Sequence, residues 1–361
     1  MADCVQEMLG RFAFPAGEKT AEAYGNGHIN DTYRVRVEGV REQFVLQRIN
    51  DYVFIHPREV MENIRRVTEF LDEKILQEGG DPRRETLRLL PALDGDCCAA
   101  DPEGHIWRTF LFIPDTFSTD LPSLPVLEEC GRAFGVFSRR LSDFPAETLH
   151  ESIRAFHDTP NRFRQLTEAA ERDAHGRLRE VEAEMVFARE REQGTRALTD
   201  ALAAGKLPLR VTHNDTKVNN VLLDRGTEKA VCVVDLDTVM PGLLAYDFGD
   251  AIRVGACTAA EDERDLSLVS LDLEKYRAFA RGFLGELKQG LGREEILSLA
   301  TGAWMMTLEN GLRFLADHLN GDVYFKIHRP GQNLDRARTQ FALVRDMERK
   351  MEEMEKILLE V

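Results

Sequence analysis

The first third of the chain carries the apolar patterns of β-strands, with one helix among them. Apolar and β-branched residues alternate or cluster at Asp31–Val37 and at 43–49, and further short strands are predicted at 86–90 and 105–113. Behind Pro57, which suits a first helical position, apolar residues recur at helical spacing. We therefore predict a small β-rich region that contains a helix.

The rest of the chain is predicted to be mainly helical. From Leu127 onward the apolar spacing is that of helices, and two short apolar runs between 208 and 235 interrupt it. The segment 163–193 alternates acids and bases and predicts a solvent-exposed helix pair. The predicted fold class is α+β and bilobal, with a small β-rich N-terminal lobe at 1–113 and a larger, mainly helical C-terminal lobe at 114–361. Clefts between such lobes are common ligand sites.

Composition and net charge restrict the kinds of molecule that this protein is expected to bind. The 361 residues carry a net charge of −16, from 47 basic and 63 acidic side chains, which repels nucleic acid and anionic membranes. No window approaches the roughly 20 apolar residues of a membrane-spanning helix, and the N-terminus lacks the pattern of a signal peptide. The six cysteines have no metal-binding spacing and are predicted to be reduced thiols. We expect a cytoplasmic monomer or weak homodimer with no nucleic-acid or membrane partner.

The segment VTHNDTKVNNVLLD, followed by VCVVDLD, has the residue types that phosphoryl transfer requires. His213 and Asn220 are the ends of an eight-residue motif, and Asp235 follows fifteen residues after Asn220. The reaction needs a carboxylate for the attacking hydroxyl, a cation at the γ-phosphate of ATP and oxygen ligands for a divalent ion. Asp215 is thus the predicted base and Lys217 the predicted cation. Asn220 and Asp235 are predicted to bind Mg²⁺ or Mn²⁺, and His213 to brace the loop.

A glycine-rich segment precedes the first predicted strand of this pattern. Gly25 and Gly27 would let backbone N–H groups approach phosphate oxygens closely, so both are predicted to contact ATP. A plain tight turn would show the same two glycines. It is the downstream motif that favours the phosphate-binding interpretation.

These motifs resemble the aminoglycoside-phosphotransferase and choline-kinase superfamily, whose fold is protein-kinase-like. The family loop His-x-Asp-x-x-x-x-Asn is present as His213–Asn220, and its Asp-x-Glu or Asp-x-Asp strand end as Asp235–Asp237. Longer segments, among them YGNGHINDTY, FHDTPNRF and RFLADHLNGDVYF, resemble the N-acetylhexosamine 1-kinases. The resemblance implies ATP as phosphoryl donor, Mg²⁺ as cofactor, and the anomeric hydroxyl of N-acetylglucosamine or N-acetylgalactosamine as acceptor.

The same resemblance implies roles for individual residues. His28, Asn30, Arg313 and Tyr324 would contact the sugar. Gln47 stands in the third strand where a kinase small lobe usually carries a lysine for the α- and β-phosphates. A neutral amide there would contact the nucleotide through hydrogen bonds, which departs from the usual pattern.

Two other functions stay open on the sequence alone. The acceptor could be an aminoglycoside, choline or another hexose, since these are acceptors within the same superfamily. A nucleotide-binding pseudokinase scaffold would usually have lost at least one of Asp215, Asn220 and Asp235, and this chain has all three. Asp247 and Asp250 are expected to brace the C-terminal lobe.

Overall fold

The computed structural model describes residues 2–25 and 29–361, and these form two compact units. Unit 1 comprises Met1–Ser118, Arg140–Arg154 and Asn220–Pro241, and unit 2 comprises Thr119–Arg139, Ala155–Asn219 and Gly242–Val361. The lobe boundary between residues 113 and 114 stays a prediction. Within the described ranges, no helix has both the length and the apolar character needed to cross a membrane.

Short strands and longer helices make up both units. The strands are β1 (Lys19–Ala23), β2 (Asp31–Val37), β3 (Gln43–Arg48), β4 (Ala99–Ala100), β5 (Ile106–Leu111), β6 (Thr116–Phe117), β7 (Arg210–Thr212), β8 (Val221–Asp224), β9 (Ala230–Val233) and β10 (Met240–Gly242). The helices are α1 (Ala2–Leu9), α2 (Pro57–Gln77), α3 (Pro82–Glu85), α4 (Leu124–Arg140), α5 (Thr159–Arg172), α6 (Glu182–Glu190), α7 (Ala197–Ala203), α8 (Leu244–Gly255), α9 (Leu273–Leu287), α10 (Arg293–Leu319) and α11 (Gln332–Glu360).

A five-stranded antiparallel sheet of order β1-β2-β3-β5-β4 dominates unit 1. The strands predicted at Asp31–Val37, 43–49 and 105–113 are confirmed as β2, β3 and β5. The strand predicted at 86–90 is wrong, because this segment makes only an isolated bridge between Leu89 and Phe110. Helix α3 ends directly before the segment, and Pro91 directly after it has no N–H to donate to a ladder.

The two faces of this sheet differ in polarity because side chains alternate along a strand. One face packs against α1 in an apolar core that includes Val5, Met8, Leu9, Val35, Phe44, Leu46 and Trp107. Thr32, Gln47 and Arg108 are opposite one another in the register of β2, β3 and β5 and lie on the other face. The sheet therefore presents a row of polar side chains on the face away from α1.

Unit 2 is built around the long helix α10. Its main apolar core joins α5, α6, α10 and α11 through residues that include Phe163, Leu166, Met185, Leu312, Leu315, Phe341 and Val344. The segment 163–193 does form helices as predicted, yet both α5 and α6 bury apolar residues in this core rather than lying wholly in solvent. A Cβ on Gly302 of α10 would clash with the backbone carbonyl of Ala245 on α8, so α8 and α10 cross in close contact.

Candidate active site

In unit 1, the β8–β9 hairpin brings the two predicted metal ligands together. Val221 pairs with Val233, and the N–H of Val234 donates to the carbonyl oxygen of Asn220 at 2.9 Å. Asn220 and Asp235 therefore flank the same end of the hairpin. Their amide and carboxylate oxygens are the ligand types that Mg²⁺ accepts, so this pair would hold the ion.

The backbone of Asp235 is in the left-handed region, with φ 63° and ψ 57°. A residue other than glycine in this region costs on the order of 1–3 kcal/mol, and such strain clusters at functional sites. Asp235 is followed by a single 3₁₀ turn, Leu236–Thr238. The strained turn therefore sets the direction in which the strand-end carboxylate projects.

The second aspartate of the strand-end motif, Asp237, is buried, and both of its carboxylate oxygens accept hydrogen bonds. One of its oxygens accepts a hydrogen bond from Nη1 of Arg108, and the other accepts from Nδ2 of Asn30 at 2.6 Å. Arg108 is 2% exposed and Asp237 is 4% exposed. The sequence analysis did not identify Arg108, although an arginine inside the apolar strand IWRTFL is an unusual residue for such a position.

Two residues predicted to contact the nucleotide or the sugar, Gln47 and Asn30, are hydrogen-bonded to Arg108 and to Asp237 respectively. Gln47 donates from Nε2 to Thr32 at 3.0 Å, and its Oε1 accepts from Nε of Arg108 at 2.9 Å. Asn30 also accepts, through Oδ1, a hydrogen bond from the N–H of Asn50 at 3.0 Å. Gly25 has a φ of 80°, which glycine adopts without strain.

Two of the sequence predictions, Gly27 and His28, lie outside the described residues. The nucleotide contacts assigned to Gly25 and Gln47 and the sugar contact assigned to Asn30 stay predictions.

In unit 2, the loop that carries Asp215 is fixed by a buried carboxylate and by ring packing. Asp247 on α8 accepts hydrogen bonds from the N–H groups of His213 at 2.9 Å and Asn214 at 2.7 Å. The His213 ring packs edge-on against Phe134, with centroids 5.5 Å apart, and its Nδ1 accepts from the N–H of Asp215 at 3.3 Å. The bracing roles predicted for His213 and Asp247 are confirmed by these contacts.

The predicted base and the predicted phosphate-binding cation form a pair. Nζ of Lys217 lies 2.7 Å from Oδ1 of Asp215, and the Lys217 side chain is 45% exposed. Burial would lower the pKa of Lys217, but the negative charges of Asp215 and Asp250 outweigh it and hold that pKa above its ordinary value. Asp250 also pairs with Arg253 at 3.0 Å. Lys217 is therefore a cation at neutral pH.

A buried pair connects this loop to α10. Nδ1 of His157 lies 2.9 Å from Oε1 of Glu309, and Nε2 of His157 lies 3.4 Å from the carbonyl oxygen of Asn214. The hydroxyl of Thr159 donates to the other Glu309 oxygen at 2.7 Å. Burial would raise the pKa of Glu309, but His157, Arg313 and Thr159 outweigh it and hold that pKa below its ordinary value.

One turn beyond Glu309 on α10, Arg313 lies among aromatic rings. Its guanidinium carbon is 5.6 Å from the ring centre of Phe156, 6.0 Å from that of Tyr324 and 5.3 Å from that of Phe325. Tyr324 is 56% exposed. The two residues predicted to contact the sugar from unit 2, Arg313 and Tyr324, are thus brought together.

The rings of Phe156, Tyr324 and Phe325 around Arg313 form an aromatic cluster, and two charged residues, Asp317 and Arg162, interact with its members. Asp317 accepts hydrogen bonds from the N–H groups of Val323, Tyr324 and Phe325 at 2.8–3.0 Å, which fixes the loop carrying Tyr324. Burial and the nearby charge of Arg313 lower the pKa of Arg162 on α5.

His157, Arg162 and Glu309 were not predicted individually, although the first two belong to the segment FHDTPNRF.

Comparison with known proteins agrees with this architecture. The family model described as the phosphotransferase enzyme family matches residues 20–283. The fold is similar to an aminoglycoside phosphotransferase from Alicyclobacillus acidocaldarius, with a TM-score of 0.65, 13% identity, and coverage of 99% of this chain and 96% of that one. It is also similar to a choline kinase from Cryptosporidium parvum (TM-score 0.59, 13% identity, 93% and 90% covered).

A third similar structure is a spectinomycin phosphotransferase in complex with ADP and spectinomycin, with a TM-score of 0.57, 12% identity, and 98% of each chain covered. At these identities the likeness shows the fold, and the predicted kinase-like α+β fold is confirmed. The family match covers most of the chain. The chain therefore belongs to the phosphotransferase enzyme family.

Proposed function

We propose that this chain is a kinase that transfers the γ-phosphoryl group of ATP to the anomeric hydroxyl of a neutral N-acetylhexosamine, giving a sugar 1-phosphate and ADP. One observation in unit 2 carries the proposal. Arg313 and its aromatic neighbours lie beside the buried Glu309–His157 pair, which reaches the loop of Asp215 through the carbonyl of Asn214. The candidate base and the candidate acceptor contacts are thus parts of one connected structure.

The chemistry follows from the types and contacts of the loop residues. Asp215 would accept the proton of the sugar hydroxyl while that oxygen bonds to the γ-phosphorus and the bond from phosphorus to the ADP oxygen breaks. Lys217, half-exposed and protonated, would meet the γ-phosphate. Mg²⁺ held by Asn220 and Asp235 would neutralise phosphate charge. These intact residues favour an active kinase over a pseudokinase scaffold.

The residue types of the aromatic cluster suit a sugar acceptor. The guanidinium of Arg313 lies 5.6 Å from the ring centre of Phe156 and 6.0 Å from that of Tyr324. A guanidinium can donate to the hydroxyls of a sugar, and an aromatic ring can cover its apolar face.

The identity of the sugar rests on the sequence segments that resemble the N-acetylhexosamine 1-kinases. Two of those segments, FHDTPNRF and RFLADHLNGDVYF, contain His157, Arg162, Arg313 and Tyr324. The resemblance therefore concerns the same residues that meet around the aromatic cluster of unit 2.

An acceptor panel tests the proposal. The purified chain would be incubated with ATP, Mg²⁺ and each of N-acetylglucosamine, N-acetylgalactosamine, glucose, galactose, kanamycin, spectinomycin and choline, and ADP release would be measured. We expect turnover of an N-acetylhexosamine, with the product phosphorus coupled to the anomeric proton in NMR spectra. The 1-deoxy analogue should be inert, and an Asp215→Asn preparation gives the background. Turnover of kanamycin or choline alone, or phosphorylation at the 6-position, would contradict the proposed acceptor.

A further inference from the structure

A continuous hydrogen-bonded network crosses the polar face of the sheet in unit 1. Gln47 is opposite Thr32 on one side and Arg108 on the other, and it is bonded to both, at 3.0 Å and 2.9 Å. Arg108 continues the network to Asp237, whose other oxygen accepts from Asn30 at 2.6 Å. The network therefore joins three strands of the sheet to the turn that follows β9.

Burial makes the Arg108–Asp237 pair the part of this network that matters most for stability. The two side chains are 2% and 4% exposed, and removing one partner of such a pair leaves an unpaired buried charge. Both Asp237 oxygens are occupied, one by Arg108 and one by Asn30. The same turn is held from α2, where Nδ2 of Asn63 donates to the carbonyl oxygen of Val239 at 3.0 Å.

The network also concerns position 47 of β3, where this chain carries glutamine instead of the usual lysine. Gln47 is neutral where kinases of this fold usually carry a positive charge, but the residue opposite it on β5 is Arg108. The positively charged side chain therefore stands on β5 rather than on β3. It belongs to Arg108, which pairs with Asp237 of the strand-end motif. Because a guanidinium has separate donors in a fixed plane, it can bond Gln47 and Asp237 at once.

We propose that Arg108 and Asp237 are positioning residues of the nucleotide site, and that Asp237 is not a metal ligand. The pair fixes the turn that carries Asp235, and through Asn30 it fixes the end of the glycine-rich segment. This inference rests on the proposed function, because it requires that ATP and Mg²⁺ bind beside Asp235.

Calorimetric titration with ADP, with and without Mg²⁺, separates a positioning residue from a metal ligand without relying on turnover. Loss of a ligand, as in Asp235→Asn, should abolish the increase in ADP affinity that Mg²⁺ gives the wild type. Asp237→Asn and Arg108→Met should instead weaken ADP binding about tenfold in both conditions and keep that increase, since a charge-assisted contact has been lost. Loss of the Mg²⁺ effect in Asp237→Asn would overturn the proposal.

Arg48→Met is the matched control, because Arg48 is next to Gln47 on β3 but pairs with Asp31, at 3.1 Å, on the other face. We expect it to bind ADP like the wild type. Wild-type affinity in Arg108→Met would overturn the positioning role alone, whereas failure of the wild-type chain to bind ADP would contradict the proposed kinase function itself.

Thermal melting of a double variant excludes a merely structural role. Arg108→Met should lower Tm, because Asp237 is left buried without its partner. Adding Asp237→Leu should restore much of the Tm, since a buried ion pair is often replaced by apolar residues at little cost. ADP affinity should stay about tenfold below that of the wild type in the double variant. Recovery of both Tm and ADP affinity would show a structural pair only and overturn the proposal.

Discussion

The ammonium group of Lys217 lies 2.7 Å from a carboxylate oxygen of Asp215, so the candidate phosphate-binding cation is paired with the candidate base. A carboxylate is the group type that accepts a proton from an attacking hydroxyl. ATP would offer Lys217 a second anion in its γ-phosphate. The ammonium group of Lys217 is therefore already in place beside Asp215 before the nucleotide binds.

Asp215→Asn should fold normally and lose turnover by about a thousandfold, because the amide cannot accept the hydroxyl proton. ADP release with the best acceptor measures turnover, and Tm checks the fold. Asp120→Asn is a suitable control, since Asp120 accepts a hydrogen bond from Asn219 in the same region at 2.7 Å. Turnover above about a tenth of wild type in Asp215→Asn would contradict its role as base.

The metal site should accept Mg²⁺ and Mn²⁺ but not Zn²⁺, because Asn220 and Asp235 offer only oxygen ligands. A chelator should abolish activity, and either hard cation should restore it. Asp235→Asn suits this test better than alanine, since asparagine tolerates the left-handed backbone at this position.

In Asp235→Asn, the Mg²⁺ concentration for half-maximal activity should rise about tenfold or more, since a charged ligand becomes neutral. Asp224→Asn, at the far end of β8, is the control and should keep the wild-type requirement. An unchanged requirement in Asp235→Asn would remove Asp235 from the metal site.

The buried Glu309 predicts how stability depends on pH. Burial opposes ionisation, but His157, Arg313 and Thr159 outweigh it and depress the Glu309 pKa. A depressed carboxyl pKa adds stability above the unfolded value of about 4.3, and that stability is lost as the pH falls through the folded pKa. The Tm difference between wild type and Glu309→Gln should therefore be largest near neutral pH and shrink below about pH 4.3.

Melting curves from neutral pH down to about pH 2.5 test this dependence. Glu168→Gln is the control, because Glu168 forms an exposed pair with Arg164 on α5, with half of its side chain in solvent. Such surface pairs contribute little, so this variant should match the wild type at every pH. A Glu309→Gln difference that stays constant with pH would contradict the depressed pKa.

Local patterns predicted the parts of the fold that depend on local contacts. Alternating side chains predicted β2, and the apolar run VCVVD placed Asp235 at a strand end. The strand at 86–90 failed because pairing also depends on the flanking helix α3 and on Pro91. Apolar periodicity alone does not contain that information.

The partners within the candidate site could not be predicted in this way. Arg108 is 129 residues from Asp237, and His157 is 152 residues from Glu309. Nothing in the sequence around Arg108 or His157 identifies the distant partner, and only the folded chain pairs them. A buried charged residue can be recognised in the sequence as an exception within an apolar run, as Arg108 can in β5. The sequence does not show which residue pairs with it.

Arg313→Ala should raise the KM for the sugar about tenfold or more while leaving the KM for ATP nearly unchanged. The guanidinium is the one charged donor that the proposal assigns to the sugar, and loss of a charged hydrogen bond leaves polar groups unpaired on both sides. Arg313→Lys should recover little, since lysine keeps the charge but lacks the planar fork that suits paired hydroxyls. Arg345→Ala is the matched control, because Arg345 lies over the ring of Phe187, 4.5 Å from its centre, away from the aromatic cluster. Steady-state kinetics with each substrate varied in turn give both constants. A parallel rise in the KM for ATP would indicate general damage to the fold, and an unchanged KM for the sugar would remove Arg313 from the acceptor site.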